Sequence, residues 1–99
     1  MFSIYKITNL KNNKIYIGQT SRTIYERFEE HCMCALSFKL NTHFAKAIRK
    51  YGKDSFKIET IEDSILDKET ANKREIYYIS YYESTKRGVG YNSTPGGEG

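Results

Sequence analysis

The sequence predicts a small α+β domain that contains three β-strands and three α-helices. Near its start, two stretches rich in β-branched and aromatic residues flank a short polar segment, as in an antiparallel hairpin. Residues 56–61 alternate between apolar and polar side chains, which is the pattern of a half-buried third strand. Three further stretches repeat apolar residues at helical spacing, which indicates amphipathic helices.

The first strand is predicted over residues 2–8. It carries bulky side chains on both faces, with Ile4 on one side and Tyr5 on the other, so we expect other elements to cover both faces. Residues 9–13 form the polar turn, where Asn12-Asn13 tolerates the positive φ angles of tight hairpins.

The return strand is predicted over residues 14–19, with Ile17 on one face and Tyr16 on the other. Glycine commonly marks a turn, so we expect the chain to turn at Gly18 and to leave the sheet through residues 18–21. The hairpin thus contributes two tyrosines, one from each strand.

A helix follows, because Thr23 and Glu26 have the spacing of a capping box. Its apolar face consists of Ile24, Phe28, Cys32 and Ala35. Arg27 and His31 are four residues apart, so they share a different stripe of the same helix. Residues 37–41 are expected to form a loop.

A second, shorter helix is predicted between an N-cap at Thr42 and a terminating Gly52. Its buried side would be formed by Phe44, Ala47, Ile48 and Tyr51. Its exposed side is basic, and the residues predicted to contact nucleic acid there are Lys46, Arg49, Lys50 and Lys53.

The last helix is predicted over residues 68–82, with Asp67 as its N-cap. Its inner stripe reads Ala71, Glu75, Tyr78, Ile79 and Tyr82. A carboxylate within an apolar stripe is costly unless it is paired or binds a metal, so Glu75 is either a metal ligand, a salt-bridge partner or a residue at the rim. A single carboxylate completed by water suits Mg²⁺ or Mn²⁺.

Composition indicates one domain, residues 1–99, with a net charge of +4 and a pI near 9.0. That charge is compatible with a nucleic-acid partner and also with an ordinary basic surface. No apolar run approaches the ~20 residues of a membrane span, no signal peptide is recognisable, and the two cysteines are expected to be free thiols, so we expect a cytoplasmic protein. The closing GGEG resembles a linker, which leaves open that the chain is the N-terminal part of a longer protein.

Polar groups that a core does not require recur at five positions, and we interpret them as a site that cleaves phosphodiester bonds. They are Tyr5, Tyr16, Arg27, His31 and Glu75. Each also has an ordinary structural explanation, such as cross-strand aromatic pairing, a solvated arginine, a packed histidine or a salt-bridged carboxylate. A zinc site is disfavoured because Cys-x-Cys on a helix splays its sulfurs; its ligands would be His31, Cys32, Cys34 and His43.

The ordered set of motifs resembles the GIY-YIG nuclease superfamily, in particular the catalytic domains of phage- and intron-type homing endonucleases. The two signature triplets are similar to Ser3-Ile4-Tyr5 and Tyr16-Ile17-Gly18. Further matches in the family's order are Arg27 and His31, the segment AIRKYG, Glu75 within KREIYYISYY, and Gly90-Tyr91-Asn92. The resemblance covers nearly the whole chain.

This resemblance implies a three-stranded antiparallel sheet flanked by helices and hydrolysis of DNA with one Mg²⁺ or Mn²⁺ ion. It implies that Glu75 holds the metal and that Arg27 stabilises the charged phosphate. Either Tyr5 or Tyr16 would help to deprotonate the attacking water, provided that nearby cations lower the phenol pKa. His31 would assist proton transfer, and Asn92 would orient the site.

Two positions depart from the family's pattern. Ser3 stands where the first motif usually has glycine, which puts a close backbone or substrate approach there in doubt. Some members also carry a second histidine between the helices; His43 matches that position only loosely, and Lys39 lies nearer to it.

The expected function is therefore that of a metal-dependent DNA endonuclease with little sequence specificity of its own, because no DNA-reading motif is recognisable. Its partner would be DNA, its setting a bacterial or phage-infected host cell, and specificity would come from a separate domain beyond Gly99. The alternatives are a structure-specific repair or recombination nuclease and a non-catalytic basic module that binds nucleic acid.

Overall fold

The computed structural model describes residues 1–37 and 41–97, and it confirms a three-stranded sheet with three helices. The strands are β1 (Phe2–Asn9), β2 (Ile15–Thr20) and β3 (Phe56–Ile65), and the helices are α1 (Ile24–Ser37), α2 (His43–Tyr51) and α3 (Lys68–Tyr82). A single 3₁₀ turn at Lys53–Ser55 joins α2 to β3. Of the loop expected over 37–41, residues 38–40, which include Lys39, lie outside the described ranges.

The sheet is antiparallel and its strand order is β2-β1-β3, so β1 lies in the centre. Tyr5 of β1 pairs with Gly18 of β2 on one side and with Thr60 of β3 on the other. The central strand is thereby fixed on both edges, which makes it a rigid base for its side chains.

The two faces of the sheet pack against different helices, as the bulky side chains on both faces of β1 predict. Tyr5 and Ile7 join a core with α1 and α2. Ile4 and Ile17 join a second core with Ile79 of α3. The alternation of side chains along β1 therefore decides which helix each residue meets.

The predicted helix N-caps are confirmed. The Thr23 hydroxyl accepts a hydrogen bond from the Glu26 amide at 3.1 Å. Thr42 caps α2 through the Ala45 amide, and Asp67 caps α3 through the Thr70 amide. These local contacts satisfy amides that have no partner within the helix.

The turn predicted at Gly18 is wrong, because β2 continues through Thr20. Gly18 instead lies in the strand opposite Tyr5, for a packing reason given below. The third strand is four residues longer than residues 56–61; it extends past a left-handed residue, Ser64 (φ 58°), to Ile65, which pairs with Phe2.

The glycine-rich C-terminal stretch also packs onto the sheet. The Ile15 amide donates to the Val89 carbonyl at 3.2 Å, and the Tyr91 amide donates to the Ile15 carbonyl at 2.8 Å. This segment runs parallel to β2 and covers its outer edge. None of the helices within the described ranges is both long and apolar enough to cross a membrane.

Candidate active site

Two tyrosines from neighbouring strands form the floor of the site. Tyr5 is fully buried, and its ring lies 6.4 Å from that of the half-buried Tyr16. A Cβ atom added to Gly18 would lie 2.3 Å from the Tyr5 hydroxyl oxygen. Gly18 is therefore required to leave room for the phenol, which a search for turns in the sequence could not reveal.

His31 reaches this floor from α1. Its Nε2 lies 2.8 Å from the Tyr5 hydroxyl, and its ring packs edge-on against Tyr16 and Phe44 at 5.2 Å. Burial, followed by the positive charge of Arg27, lowers the pKa of His31 to about 3. The imidazole is therefore neutral at physiological pH, and in the tautomer that bears hydrogen on Nδ1 it accepts a hydrogen bond from the phenol.

The two phenols are also held in their neutral form. Burial raises the pKa of Tyr5 and of Tyr16, and this effect exceeds the lowering by Arg27. Arg27 does lower the pKa values of the two phenols, as expected, but desolvation raises them by more. The phenols differ in one respect: within the described ranges the Tyr16 hydroxyl has no hydrogen-bond partner, whereas that of Tyr5 is held by His31.

Arg27 lies on the same side of α1 as His31 and is half-buried, with 32% of its side chain exposed. It pairs with Glu30 one turn further along the helix, and Glu30 also accepts a hydrogen bond from Arg22 at 2.7 Å. The guanidinium of Arg27 is thus held at the wall of the site by the Glu30 carboxylate, which also binds Arg22.

Glu75 comes from α3, which packs on the face of the sheet opposite to α1, and it is only 8% exposed. Its Oε1 accepts hydrogen bonds from Gln19 Nε2 at 3.2 Å and from the Gly97 amide at 2.9 Å. No ion pair to Glu75 and no hydrogen bond to its Oε2 occur within residues 1–37 and 41–97. A buried carboxylate with one oxygen fixed and the other open is suited to ligand binding.

The partners of Glu75 were not found from the sequence. Gln19 also donates to Asn72 Oδ1 at 2.7 Å and accepts from Lys68 Nζ at 3.2 Å, so its amide is fixed at both ends. One signal was present: Gln19 is a polar residue on the face of β2 that otherwise carries Ile15 and Ile17. The contact of Gly97 with Glu75 had no local signal.

Asn92 acts on the backbone of β2. Its Oδ1 accepts from the Ile17 amide at 2.9 Å, and its Nδ2 donates to the Ile17 carbonyl at 2.8 Å. The side-chain amide thereby replaces a neighbouring strand beside Tyr16. Asn92 is a positioning residue in this arrangement.

One open cleft of about 390 Å³ is lined by all six residues singled out in the sequence. Gly18, Gln19, Phe44, Tyr91 and Gly96 complete much of its wall. The cleft therefore joins two phenols, a guanidinium, an imidazole and a carboxylate in one space.

The sequence matches the family model of the GIY-YIG catalytic domain over residues 1–92. The chain belongs to the GIY-YIG family. Membership confirms the resemblance to this nuclease superfamily and the prediction that the chain is an enzyme.

Solved structures agree in fold. A mutant of the catalytic domain of intron endonuclease I-TevI superimposes with a TM-score of 0.82 at 25% identity, covering 96% of each chain. A second structure, the catalytic domain of homing endonuclease I-TevI, gives a TM-score of 0.73 at 23% identity, covering 95% of this chain and 99% of that one. The fold expected from the GIY-YIG resemblance is thus confirmed.

A curated relative comes from a virus. The uncharacterized protein 019R of Invertebrate iridescent virus 6 is 46% identical over 55 residues, which are 56% of this chain. The match spans only 19% of the viral protein, so that protein is much longer than the GIY-YIG domain.

The side chains of this GIY-YIG domain fit a hard divalent cation better than zinc. Among the residues that the structure describes, no three of His, Cys, Asp and Glu lie close enough together to bind a metal jointly. Both cysteines are free, and His31 and His43 contact different rings. The open oxygen of Glu75 is the type of donor that Mg²⁺ or Mn²⁺ takes along with water and phosphate oxygens.

The four basic residues predicted on α2 and just after it have different environments. Lys46 and Lys50 are exposed and line a small pocket beside the cleft. Arg49 donates to the Ala35 carbonyl at 2.9 Å. Lys53 pairs with Glu29. Only the first two of these residues therefore present their charge to a shared cavity.

Proposed function

We propose that this GIY-YIG domain is a DNA endonuclease that hydrolyses a phosphodiester bond with one divalent ion, Mg²⁺ or Mn²⁺, held by Glu75. The observation that carries the proposal is the position of the buried Glu75 carboxylate, whose open oxygen lies in the same cleft as Arg27 and both tyrosines. When bound, such a cation polarises a phosphate oxygen and stabilises the leaving oxygen.

Arg27 supplies the fixed positive charge of the cleft. A guanidinium remains protonated at all physiological pH values and matches the geometry of phosphate oxygens. In the proposed reaction it binds the scissile phosphate and stabilises the negative charge that builds up in the transition state. Glu30 holds it at the wall until the phosphate arrives.

The tyrosines and His31 handle the attacking water and its proton. The Tyr16 hydroxyl has no hydrogen-bond partner among the residues that the structure describes, so we assign to it the hydrogen bond that orients the water. As the water oxygen bonds to phosphorus and the bond from phosphorus to the leaving oxygen breaks, the proton of the water would pass to the Tyr5 hydroxyl while the phenol's own proton passes to His31 Nε2, 2.8 Å away. A bound phosphate makes this transfer easier, because its negative charge opposes the effect of Arg27 on the pKa of His31.

The substrate and setting proposed are DNA and the cytoplasm of a bacterial or phage-infected host cell. The free thiols of Cys32 and Cys34 fit a reducing compartment. We further propose that sequence specificity is supplied by a separate domain C-terminal to the GIY-YIG domain.

The deciding experiment is incubation with supercoiled plasmid in the presence of Mg²⁺ or of EDTA. Nicked or linear product is expected with the metal and not with EDTA. Glu75→Gln keeps the shape of the side chain and removes its charge, so it should abolish cleavage. Glu69→Gln, an exposed residue of the same helix, is the matched control and should cut like the wild type.

Two results would count against this function. Metal-independent cutting, or wild-type rates in Glu75→Gln, would show that Glu75 does not hold a metal ion needed for cleavage. Retained DNA binding without any cleavage by the wild type would instead favour a non-catalytic module on the same fold.

A further inference from the structure

A second cavity, which we call the basic pocket, lies beside the catalytic cleft. It has a volume of about 180 Å³ and is lined in part by Lys14, His43, Lys46 and Lys50. Tyr91 lines both the basic pocket and the cleft. The side chain of Tyr91 is thus shared by the two cavities.

Three parts of the chain bring positive charge to this pocket. Lys14 of the hairpin and Lys46 and Lys50 of α2 line the pocket, whereas Arg87, in the segment after α3, does not line it but acts electrostatically on His43. Partial burial and then the charges of Lys14, Arg87 and Lys46 hold the pKa of His43 below its usual value. Arg87 therefore lies close enough to His43 to contribute to the same electrostatic field.

These charges are not compensated. Within residues 1–37 and 41–97, none of Lys14, Lys46, Lys50 and Arg87 has a carboxylate within ion-pair distance. Other surface cations do have such partners, for example Lys53 with Glu29, Lys73 with Glu69, and Lys86 with Glu83. Positive charge without a carboxylate partner is therefore gathered beside the cleft, where it would attract a polyanion.

We propose that the basic pocket binds the sugar-phosphate backbone of the substrate beside the scissile phosphate. This inference rests on the proposed function, because it specifies how the DNA would lie across the domain. It also separates the predicted basic residues into two that contact DNA, Lys46 and Lys50, and two that do not, Arg49 and Lys53, and it adds Lys14 and Arg87.

The distances fit one continuous strand of DNA. The Phe44 ring stacks on Tyr16 at 4.3 Å and lies 5.7 Å from Tyr91. The ring of Tyr91, in the wall of the basic pocket, is therefore within about 10 Å of the ring of Tyr16. Since each strand of DNA advances ~3.4 Å per nucleotide, the pocket is within a few nucleotides of the bond to be cut.

The test uses plasmid cleavage under single-turnover conditions, with enzyme in excess and Mg²⁺ present. The half-saturating enzyme concentration is measured between about 50 and 200 mM NaCl. Two double variants remove charge from the basic pocket: Lys14→Gln with Arg87→Gln, and Lys46→Gln with Lys50→Gln. Each should raise the half-saturating concentration roughly tenfold and flatten its dependence on salt by about one phosphate contact per residue.

Lys73→Gln with Lys86→Gln is the matched control, because it removes the same charge from lysines that already pair with carboxylates. It should leave the salt dependence as in the wild type. If the wild type cuts and all three double variants show the same salt dependence, the basic pocket does not bind DNA, although the nuclease function stands. If the wild type does not cut at all, the proposed function fails and this inference fails with it.

Discussion

Gln19 is the residue that couples the sheet to the carboxylate of Glu75. Its amide is fixed by Asn72 and Lys68, and it donates to the same oxygen of Glu75 that Gly97 contacts. Groups that hold a metal-binding carboxylate in one orientation usually matter almost as much as the carboxylate itself. Gln19 therefore belongs to the site as a residue that positions Glu75.

Gln19→Met keeps the length of the side chain but cannot form these hydrogen bonds. We expect the Mg²⁺ concentration for half-maximal cleavage to rise roughly 10- to 100-fold, because Glu75 would no longer be held in the orientation that we propose binds the ion. A metal titration of plasmid cleavage measures this, and circular dichroism verifies that the variant is folded. An unchanged metal requirement would show that Gly97 alone is sufficient to orient Glu75.

His31 makes the stability of the domain depend on pH. Its pKa is about 3 in the folded protein, against the ordinary value of 6.5 in an unfolded chain. Between these values the unfolded chain binds a proton that the folded protein does not, so stability falls as pH is lowered from 6.5 towards 3. The slope of this effect is at most about 1.4 kcal/mol per pH unit.

His31→Gln should remove that contribution. We expect the free energy of unfolding, measured with urea near pH 7 and near pH 5, to fall less with acid in the variant than in the wild type. Parallel losses in both proteins would mean that the imidazole is not held neutral by its surroundings.

At the scale of elements, the segment that follows α3 completes the sheet. It adds backbone hydrogen bonds to Ile15 and side-chain hydrogen bonds from Asn92 to Ile17. The edge of β2 next to Tyr16 is thus kept in register from outside the sheet. The resemblance implied that Asn92 orients the site, and these contacts give a physical means for it to do so.

Asn92→Ala leaves the amide and the carbonyl of Ile17 without protein partners. We expect a loss of ~1–3 kcal/mol in the free energy of unfolding if these groups stay buried, together with slower cleavage because Tyr16 is held less firmly. Urea denaturation and plasmid cleavage measure the two effects. Ser93→Ala, at the exposed neighbour, is the control for stability.

A stability equal to that of the wild type in Asn92→Ala would show that water replaces the lost contacts at no cost. Normal stability with slow cleavage would instead place Asn92 in direct contact with the substrate.

The elements themselves were predictable where the signal is local. The caps Thr23, Thr42 and Asp67 and the apolar face of α1 follow from spacing and are as expected. The predicted faces of α2 and α3 are buried except for Tyr51, Tyr78 and Tyr82, which are only half-buried. The ends of β2 and β3 were not predictable, because Gly18 looks like a turn residue unless Tyr5 is known to lie against it. The contact between Gly18 and Tyr5 on neighbouring strands, and not the local sequence pattern, explains why a glycine lies within β2.

At the scale of the whole molecule, the cleft is assembled from β1, β2, α1, α3 and the C-terminal segment. That the six candidate residues share one cavity followed from the family's ordered motifs, whereas their protonation states did not. The pKa values of Tyr5 and His31 are governed by burial, and the depth of burial is a property of the assembled core. Likewise, the ion pair between Lys53 and Glu29 could not be predicted, because the two residues belong to no common sequence motif.

The order of these parts along the chain has a consequence for biosynthesis. A ribosome that has translated as far as β3 has already produced the tyrosines, the arginine and the histidine of the cleft. The acid of α3 and the asparagine that secures the outer edge of β2 are made after all of these. The nascent chain of a DNA-cutting enzyme built in this way therefore has no complete cleft until the ribosome has passed Asn92.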